Sequence, residues 1–166
     1  MSRAFVKDDA TTEQVLVPPR AHLPPGIPNY VTPRGLALLG AELAELKHTL
    51  SQLETDPAAT SKLASLSEQI ADLDYRIANA KLITLAHISP DQVGFGATVT
   101  VETLGKSAAQ RRFSLVGVDE ASAAEGRVAF TAPIAQALMG HKVGQTVQLQ
   151  VGATQTLKII SIDYET

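Results

Sequence analysis

Apolar side chains recur at alternating steps of three and four along two stretches of the chain, with a short polar segment between them. The two stretches mirror each other about Ala58, so each apolar position on one side has a counterpart at the same separation on the other. Steps of three and four keep one stripe of side chains on one face of a helix, as in the seam of a coiled coil. We therefore predict an antiparallel helical hairpin over residues 32–86, with its tip at 54–61. The twelve predicted seam residues are Leu36, Leu39, Leu43, Leu46, Leu50, Leu53, Leu63, Leu66, Ile70, Leu73, Ile77 and Ala80.

Two residue pairs mark where the helices of this hairpin should begin. Thr32-Pro33 offers a helix N-cap followed by proline at the first helical position, and the first helix is predicted to cover 33–54. Asp56-Pro57 has the same form, so the second helix is predicted to begin there and to continue to about Leu82. At 1.5 Å per residue, each arm would project roughly 33 Å.

The periodicity changes after Gly94, where apolar and polar residues alternate in short runs separated by turn residues. Alternation of this kind is typical of half-buried β-strands. One short helix is predicted at 133–139, with proline at its start and glycine after its end. Residues 90–166 are therefore predicted to form a mainly antiparallel β domain with one short helix, and the whole chain to be α+β. The predicted strands are 97–101, 112–116, 127–131, 147–151 and 156–160.

The first 31 residues are polar and then rich in proline, which favours extended chain. We predict a flexible tail over 1–31. The alternative is a strap that docks on a partner, which no local pattern favours.

Composition narrows the possible functions of these 166 residues. A net charge of −3 gives no electrostatic basis for binding bare nucleic acid, so contact with nucleic acid is expected to be indirect. The chain contains no cysteine, and its four histidines lack ligand spacing, so we predict no metal site and no cofactor. No apolar stretch approaches the roughly 20 residues that span a bilayer, and no secretory signal is recognisable, so a cytoplasmic location is expected.

Several motifs, in order along the chain, resemble the GreA/GreB family of transcription elongation factors. They are the hairpin entry at 30–36, Asn79-Ala80-Lys81-Leu82-Ile83, the run 93–101, Leu115-Val116-Gly117-Val118-Asp119-Glu120-Ala121, the run 132–140, Val143-Gly144-Gln145-Thr146-Val147 and Ile160-Ser161-Ile162-Asp163-Tyr164. The resemblance implies an N-terminal antiparallel coiled coil joined to an FKBP-like C-terminal domain. It also implies bacterial RNA polymerase as the partner, with the globular domain at the mouth of the secondary channel and the coiled coil pointing inward.

The tip of the hairpin departs from the family pattern. Family members that stimulate transcript cleavage carry an acidic pair in a Gly-Asp-Leu-Ser-Glu-Asn-like run, whereas this chain has Gln52-Leu53-Glu54-Thr55-Asp56-Pro57-Ala58-Ala59. We therefore predict a polymerase-binding elongation regulator, not itself an enzyme, without strong stimulation of cleavage. In the alternative, Glu54 and Asp56 help to hold a catalytic Mg²⁺. The simpler interpretation makes Asp56 a helix N-cap and Glu54 a solvated residue.

The resemblance also implies polymerase-binding residues in the globular domain. These candidates are Asp119, Glu120, Ala132, Pro133 and Ile134. The simpler alternatives are that the acidic pair is an exposed, solvated loop and that the other three residues begin a helix and fill the core.

The same sequence leaves two functions of other classes as alternatives. An FKBP-type peptidyl-prolyl isomerase or chaperone would need a pocket walled by aromatics, and this chain has no Trp, four Phe and three Tyr, spread along its length. A structural module would pair two hairpins into a four-helix bundle. Because the seam is satisfied within one hairpin, we expect a monomer.

Overall fold

The computed structural model of the chain describes residues 20–105 and 107–165. A helical hairpin and a five-stranded sheet domain are joined by a small two-stranded sheet. In chain order the elements are β1 (Asn29–Val31), α1 (Pro33–Leu53), α2 (Thr60–Ala78), β2 (Ala80–Leu82), β3 (Ala97–Leu104), β4 (Gln110–Val116), β5 (Arg127–Ala129), α3 (Pro133–Leu138), β6 (Thr146–Val151) and β7 (Ala153–Tyr164). Single 3-10 turns lie at Leu85–His87 and Ala123–Glu125. The predicted α+β class is confirmed.

Helix α1 begins at the predicted cap. The Thr32 hydroxyl accepts a hydrogen bond from the Gly35 amide at 2.9 Å, and Pro33 occupies the first turn, where its missing N–H costs nothing. All twelve seam residues are buried or half-buried. The most deeply buried part of the seam lies at the base, where Leu39 and Leu73 pack with Val31 of β1. Full burial of a leucine side chain contributes about 1.5–3 kcal/mol, so the seam provides much of the stability of the hairpin.

The second helix is shorter at both ends than predicted. It begins at Thr60, not at Pro57, and its N-cap position is Ala59, so the prediction of Asp56 as the N-cap is wrong. The Asp56 carboxylate instead accepts a hydrogen bond from the Ala58 amide at 2.9 Å within the connecting loop. Such a local turn satisfies the backbone outside the helix and thereby delays the helix start.

The second helix also ends early, at Ala78, because the chain then enters β2. Ala80 is therefore a strand residue, although it packs against the same apolar cluster as the helical seam. Strand β2 pairs in parallel with β1, with Asn29 opposite Ala80 and Val31 opposite Leu82.

The prediction of flexible chain up to residue 31 is wrong for residues 20–31. In this part of the chain Arg20 forms ion pairs, and the Ala21 carbonyl accepts a hydrogen bond from Arg76 Nη2 at 2.9 Å. Strand β1 completes the segment. Residues 1–19 of the predicted tail lie outside the described residues.

The globular domain contains one sheet in the order β5-β4-β3-β7-β6. Neighbouring strands are antiparallel, except that β5 runs parallel to β4. Helix α3 covers one face, where Ala135 and Leu138 are fully buried. The inward residues of the strands form the core beneath it: Ala97, Val99, Val101, Phe113, Leu115, Val147, Leu149, Leu157 and Ile159. Alternation of apolar and polar residues in the sequence thus corresponds to one covered face.

Three aromatic rings that are far apart in sequence meet where the small sheet contacts the domain. The ring centroids of Tyr30, Phe95 and Phe130 lie 5.5–5.8 Å apart in tilted and edge-on arrangements. Phe95 and Phe130 are buried. This cluster packs the base of the hairpin against the sheet domain. The sequence did not predict it, because the three aromatic residues are far apart along the chain.

Candidate functional site

The hairpin tip is the loop 54–59 between the two helices. Its backbone is held by short-range hydrogen bonds, including Asp56 N to Leu53 O at 3.0 Å and Ala59 N to Asp56 O at 3.1 Å. Glu54 and Asp56 are both exposed, and one Asp56 oxygen is used by the Ala58 amide. Over 20–105 and 107–165, no group of three or more His, Cys, Asp or Glu residues is placed to hold a metal.

The tip is carried away from the globular domain by the length of the helices. Helix α1 has 21 residues, which corresponds to about 31 Å. The buried seam residues are Leu39, Ile70 and Leu73, whereas the four seam leucines near the tip are half-buried. Near the tip the seam is thus shielded by the two helices alone.

The opposite end of the hairpin is attached to the domain through Glu120. Its side chain is 2% exposed, so the expectation of an exposed, solvated acidic loop is wrong for this residue. Glu120 Oε1 accepts hydrogen bonds from Arg34 Nη1 at 3.1 Å and Arg127 Nη1 at 3.0 Å, and Oε2 accepts one from the Thr32 hydroxyl. A Cβ atom at Gly35 would lie 2.7 Å from Glu120 Oε2, so a glycine is required there for the carboxylate to reach the helix start.

Asp119 makes the second charged attachment and is also buried, with a side chain 6% exposed. Its Oδ1 accepts a hydrogen bond from Arg20 Nη1 at 3.0 Å, and Arg76 Nε lies 3.7 Å from Oδ2. Arg20 also forms an ion pair with Glu42 of α1. Burial lowers the pKa of Arg20, but its hydrogen bonds to Asp119 and Glu42 and the charges of these residues outweigh this and leave the pKa raised.

Ala132, Pro133 and Ile134 form the start of α3. Pro133 is exposed at the first helical position, and Ala132 occupies the N-cap without a side-chain hydrogen bond. Ile134 is half-buried and packs against the domain core. The helix start is instead braced by Gln136, whose Nε2 donates to the Phe130 carbonyl at 2.7 Å.

A family model matches the sheet domain, and sequence relatives cover more of the chain. Residues 88–164 match the family model described as transcription elongation factor, GreA/GreB, C-term. Transcription elongation factor GreA of Pelobacter propionicus is 34% identical over 117 residues, covering 70% of this chain and 73% of that protein. The chain belongs to the GreA/GreB family of transcription elongation factors. GreA of Bradyrhizobium diazoefficiens is 31% identical over 154 residues, covering 81% of this chain and 96% of the relative.

Solved structures of GreA/GreB proteins resemble the chain more loosely. A prokaryotic GreA/GreB elongation factor from Nitrosomonas europaea is 21% identical, with a TM-score of 0.41, and covers 81% of this chain and 98% of its own. GreA factor homolog 1 of Thermus thermophilus is 20% identical, with a TM-score of 0.39, and covers 81% and 97%. The family assignment therefore depends on the sequence relatives and the family model.

The two buried carboxylates of this GreA/GreB-family chain and the arginines that pair with them form one group, which we call the junction cluster. Its members are Asp119, Glu120, Arg20, Arg34, Arg76 and Arg127. Two buried carboxylates are tolerated because each is matched by arginines. The sequence shows the acidic pair, but three of its four arginine partners, Arg20, Arg34 and Arg76, are 43–99 residues away and follow no local pattern, so sequence reasoning missed them.

A cavity of about 460 Å³ lies between the start of α1, the linker after β2 and the outer face of the sheet. It is lined chiefly by apolar side chains, among them Ile83, Leu85 and Phe95. Its polar lining includes Arg34, Glu120 and Arg127 of the junction cluster, together with the hydroxyls of Thr98 and Ser114, which lie 2.7 Å apart. Within residues 20–105 and 107–165, no helix has the length and apolar character needed to cross a bilayer.

Proposed function

We propose that this protein regulates bacterial RNA polymerase during elongation and is not itself an enzyme. The globular domain would dock at the mouth of the secondary channel, and the hairpin would enter the channel. Membership of the GreA/GreB family supports the partner. The helical arm of about 31 Å, anchored at one end and solvated at the other, supports the insertion.

We further propose that the inserted tip does not strongly stimulate transcript cleavage. Two-metal cleavage of a phosphodiester needs hard oxygen ligands that hold a second Mg²⁺. The observation that carries the proposal is that Asp56 already accepts the Ala58 amide in the tip turn, which leaves Glu54 as the one other carboxylate of the loop. The second Asp56 oxygen is free within the described residues, but no third His, Cys, Asp or Glu there lies with Asp56 and Glu54, so the pair alone makes a poor metal site.

Backtracked elongation complexes test this proposal directly. Purified protein is added to complexes with 3′-labelled RNA, and the release of short 3′ fragments is followed over time. We expect release at the rate of polymerase alone, with a cleavage-stimulating family member as the positive control. Rapid release would contradict the proposal. If that release were lost in Glu54→Gln/Asp56→Asn, the alternative with tip acids on Mg²⁺ would be correct.

For docking, we propose that the exposed start of α3 contacts the polymerase and that Asp119 and Glu120 act by positioning the coil. Pro133 is exposed at the edge of the domain, whereas both carboxylates are occupied within the chain. Pro133→Arg should weaken binding to purified polymerase about tenfold, as expected for loss of an interface anchor. Gln148→Arg, at another exposed position of the domain, is the matched control. Equal binding by both variants would remove the α3 start from the interface.

We also propose that the free protein is monomeric, because the apolar seam is shielded within one hairpin. Sedimentation velocity over a hundredfold concentration range should give one monomeric species. A concentration-dependent dimer would favour the four-helix bundle.

A further inference from the structure

The segment that precedes β1, residues 20–28, crosses the junction between the hairpin and the sheet domain, and we call it the strap. At its first residue Arg20 donates to Asp119 Oδ1 on the domain at 3.0 Å and forms an ion pair with Glu42 of α1. At the next residue the Ala21 carbonyl accepts from Arg76 Nη2 of α2 at 2.9 Å. The strap therefore contacts both helices and the domain at one end.

The other end of the strap is fixed by β1. Asn29 Nδ2 donates to the Arg76 carbonyl at 3.2 Å, and Asn29–Val31 pairs with β2. The backbone of Tyr30 also passes close to the domain, since a Cβ atom at Gly117 would lie 2.6 Å from the Tyr30 carbonyl oxygen. The strap thus has two anchored ends.

The position of Arg20 along the coil gives the strap a mechanical role. The attachment through Glu120 involves Thr32 and Arg34 at the start of α1, and one attachment at a helix end permits the helix to pivot. Glu42 is ten residues beyond Thr32, or about 15 Å along the helix. The link Asp119–Arg20–Glu42 therefore adds a second, distant attachment, and two attachments define a direction.

Around Asp119, several buried polar atoms lack hydrogen-bond partners in the described part of the chain. Asp119 Oδ2, Arg76 Nη1 and Asn29 Oδ1 are buried and have no hydrogen-bond partner within the described residues. Buried polar groups in folded proteins are nearly always hydrogen-bonded, so these three atoms make the packing around Asp119 less fully hydrogen-bonded than a typical interior. Without Arg20, Asp119 would retain only the Arg76 guanidinium at 3.7 Å.

We propose that the strap sets the direction of the hairpin relative to the sheet domain, and that release of Arg20 lets the hairpin swing about the start of α1. The inference is independent of any polymerase partner, because it concerns the free chain. It makes the segment before β1 a control element for where the tip points.

The test measures the distance from the tip to the domain in the full chain. The protein has no cysteine, so cysteines introduced at two exposed positions, Ser61→Cys and Gln148→Cys, can be spin-labelled. The distance between the labels is measured by pulsed electron–electron double resonance. With Arg20 present we expect one narrow distance distribution. With Arg20→Ala we expect a second distance population to appear. Loss of a charge-assisted hydrogen bond should raise the ratio of the swung to the fixed orientation about tenfold.

Two further variants make the outcome decisive. Arg112→Ala removes an ion pair of 3.7 Å with Asp163 inside the sheet domain, and it should leave the distribution unchanged. Glu42→Gln removes the charge at the α1 end of the link and leaves an amide oxygen as a weaker acceptor for Arg20, so it should broaden the distribution in the same direction but by less. If Arg20→Ala lost its helical circular dichroism, Glu42→Gln would decide the question. Unchanged distances in folded Arg20→Ala, or in Glu42→Gln, would overturn the proposal.

Discussion

Truncation of Glu120 to alanine probes the charged attachment at the base of the hairpin. The substitution removes three hydrogen bonds to a carboxylate, and hydrogen bonds to charged groups contribute about 1.5–3 kcal/mol each; those from Arg34 and Arg127 are also ion pairs. Arg34 is 41% exposed, so solvent screening reduces its share, whereas Arg127 is 18% exposed and would keep only the exposed Glu125, at 3.6 Å, as a partner. We expect a loss of about 3 kcal/mol in the free energy of unfolding, at the low end of the range for breaking a buried ion pair.

Urea unfolding followed by far-UV circular dichroism at pH 7 measures this loss, and the melting temperature should fall by about 6–12 °C. Glu125→Ala is the matched control, because Glu125 lies 3.6–3.7 Å from the same two arginines but is 57% exposed. It should cost less than about 1 kcal/mol. The reasoning would be refuted if Glu120→Ala destabilised the protein no more than Glu125→Ala.

Two other predictions concern the seam and the surface. Leu73→Ala, at a fully buried seam position, should lower the free energy of unfolding in urea by about 2–5 kcal/mol. Leu38→Ala, at a position 46% exposed on the same hairpin, should lower it by under about 1 kcal/mol, and equal losses would contradict the assignment of the seam. The Lys142 ammonium, which donates to Asp91 Oδ2 at 2.8 Å, lowers the pKa of Asp91, so this ion pair persists as the pH falls until Asp91 is protonated at its lowered pKa. A carboxyl-detected NMR titration should show that midpoint below the ordinary value and should show it rise in Lys142→Ala; an unchanged midpoint would refute the pairing.

Local patterns in the sequence predicted most of the fold. The three-four spacing located the seam, and Thr32-Pro33 located the start of α1, because both depend on residues within one or two helical turns. The alternation after Gly94 located the strands for the same reason. The failures at the second helix have local causes too: the Asp56 turn delays its start, and a strand replaces its last predicted turn.

The candidate site was less predictable, because its geometry depends on contacts between distant segments. Strand β2 exists only because β1, about 50 residues earlier, lies beside it. Asp119 appears in the sequence as part of an acidic turn, yet arginines 99 and 43 residues earlier enclose it. No periodicity or spacing in a single sequence encodes such pairings, so the burial of both carboxylates had to come from the structure.

The mirrored register of the seam has a consequence for how this architecture can be resized. Seven added residues in each helix, inserted at matching distances from the turn, would restore every partnership beyond the insertion and lengthen the rod by about 10 Å. Insertions of unequal length would move the seam residues of one helix out of register with those of the other and disrupt their packing. The length of the hairpin can therefore change in steps of seven residues per helix, while the ion pairs at its base stay unchanged.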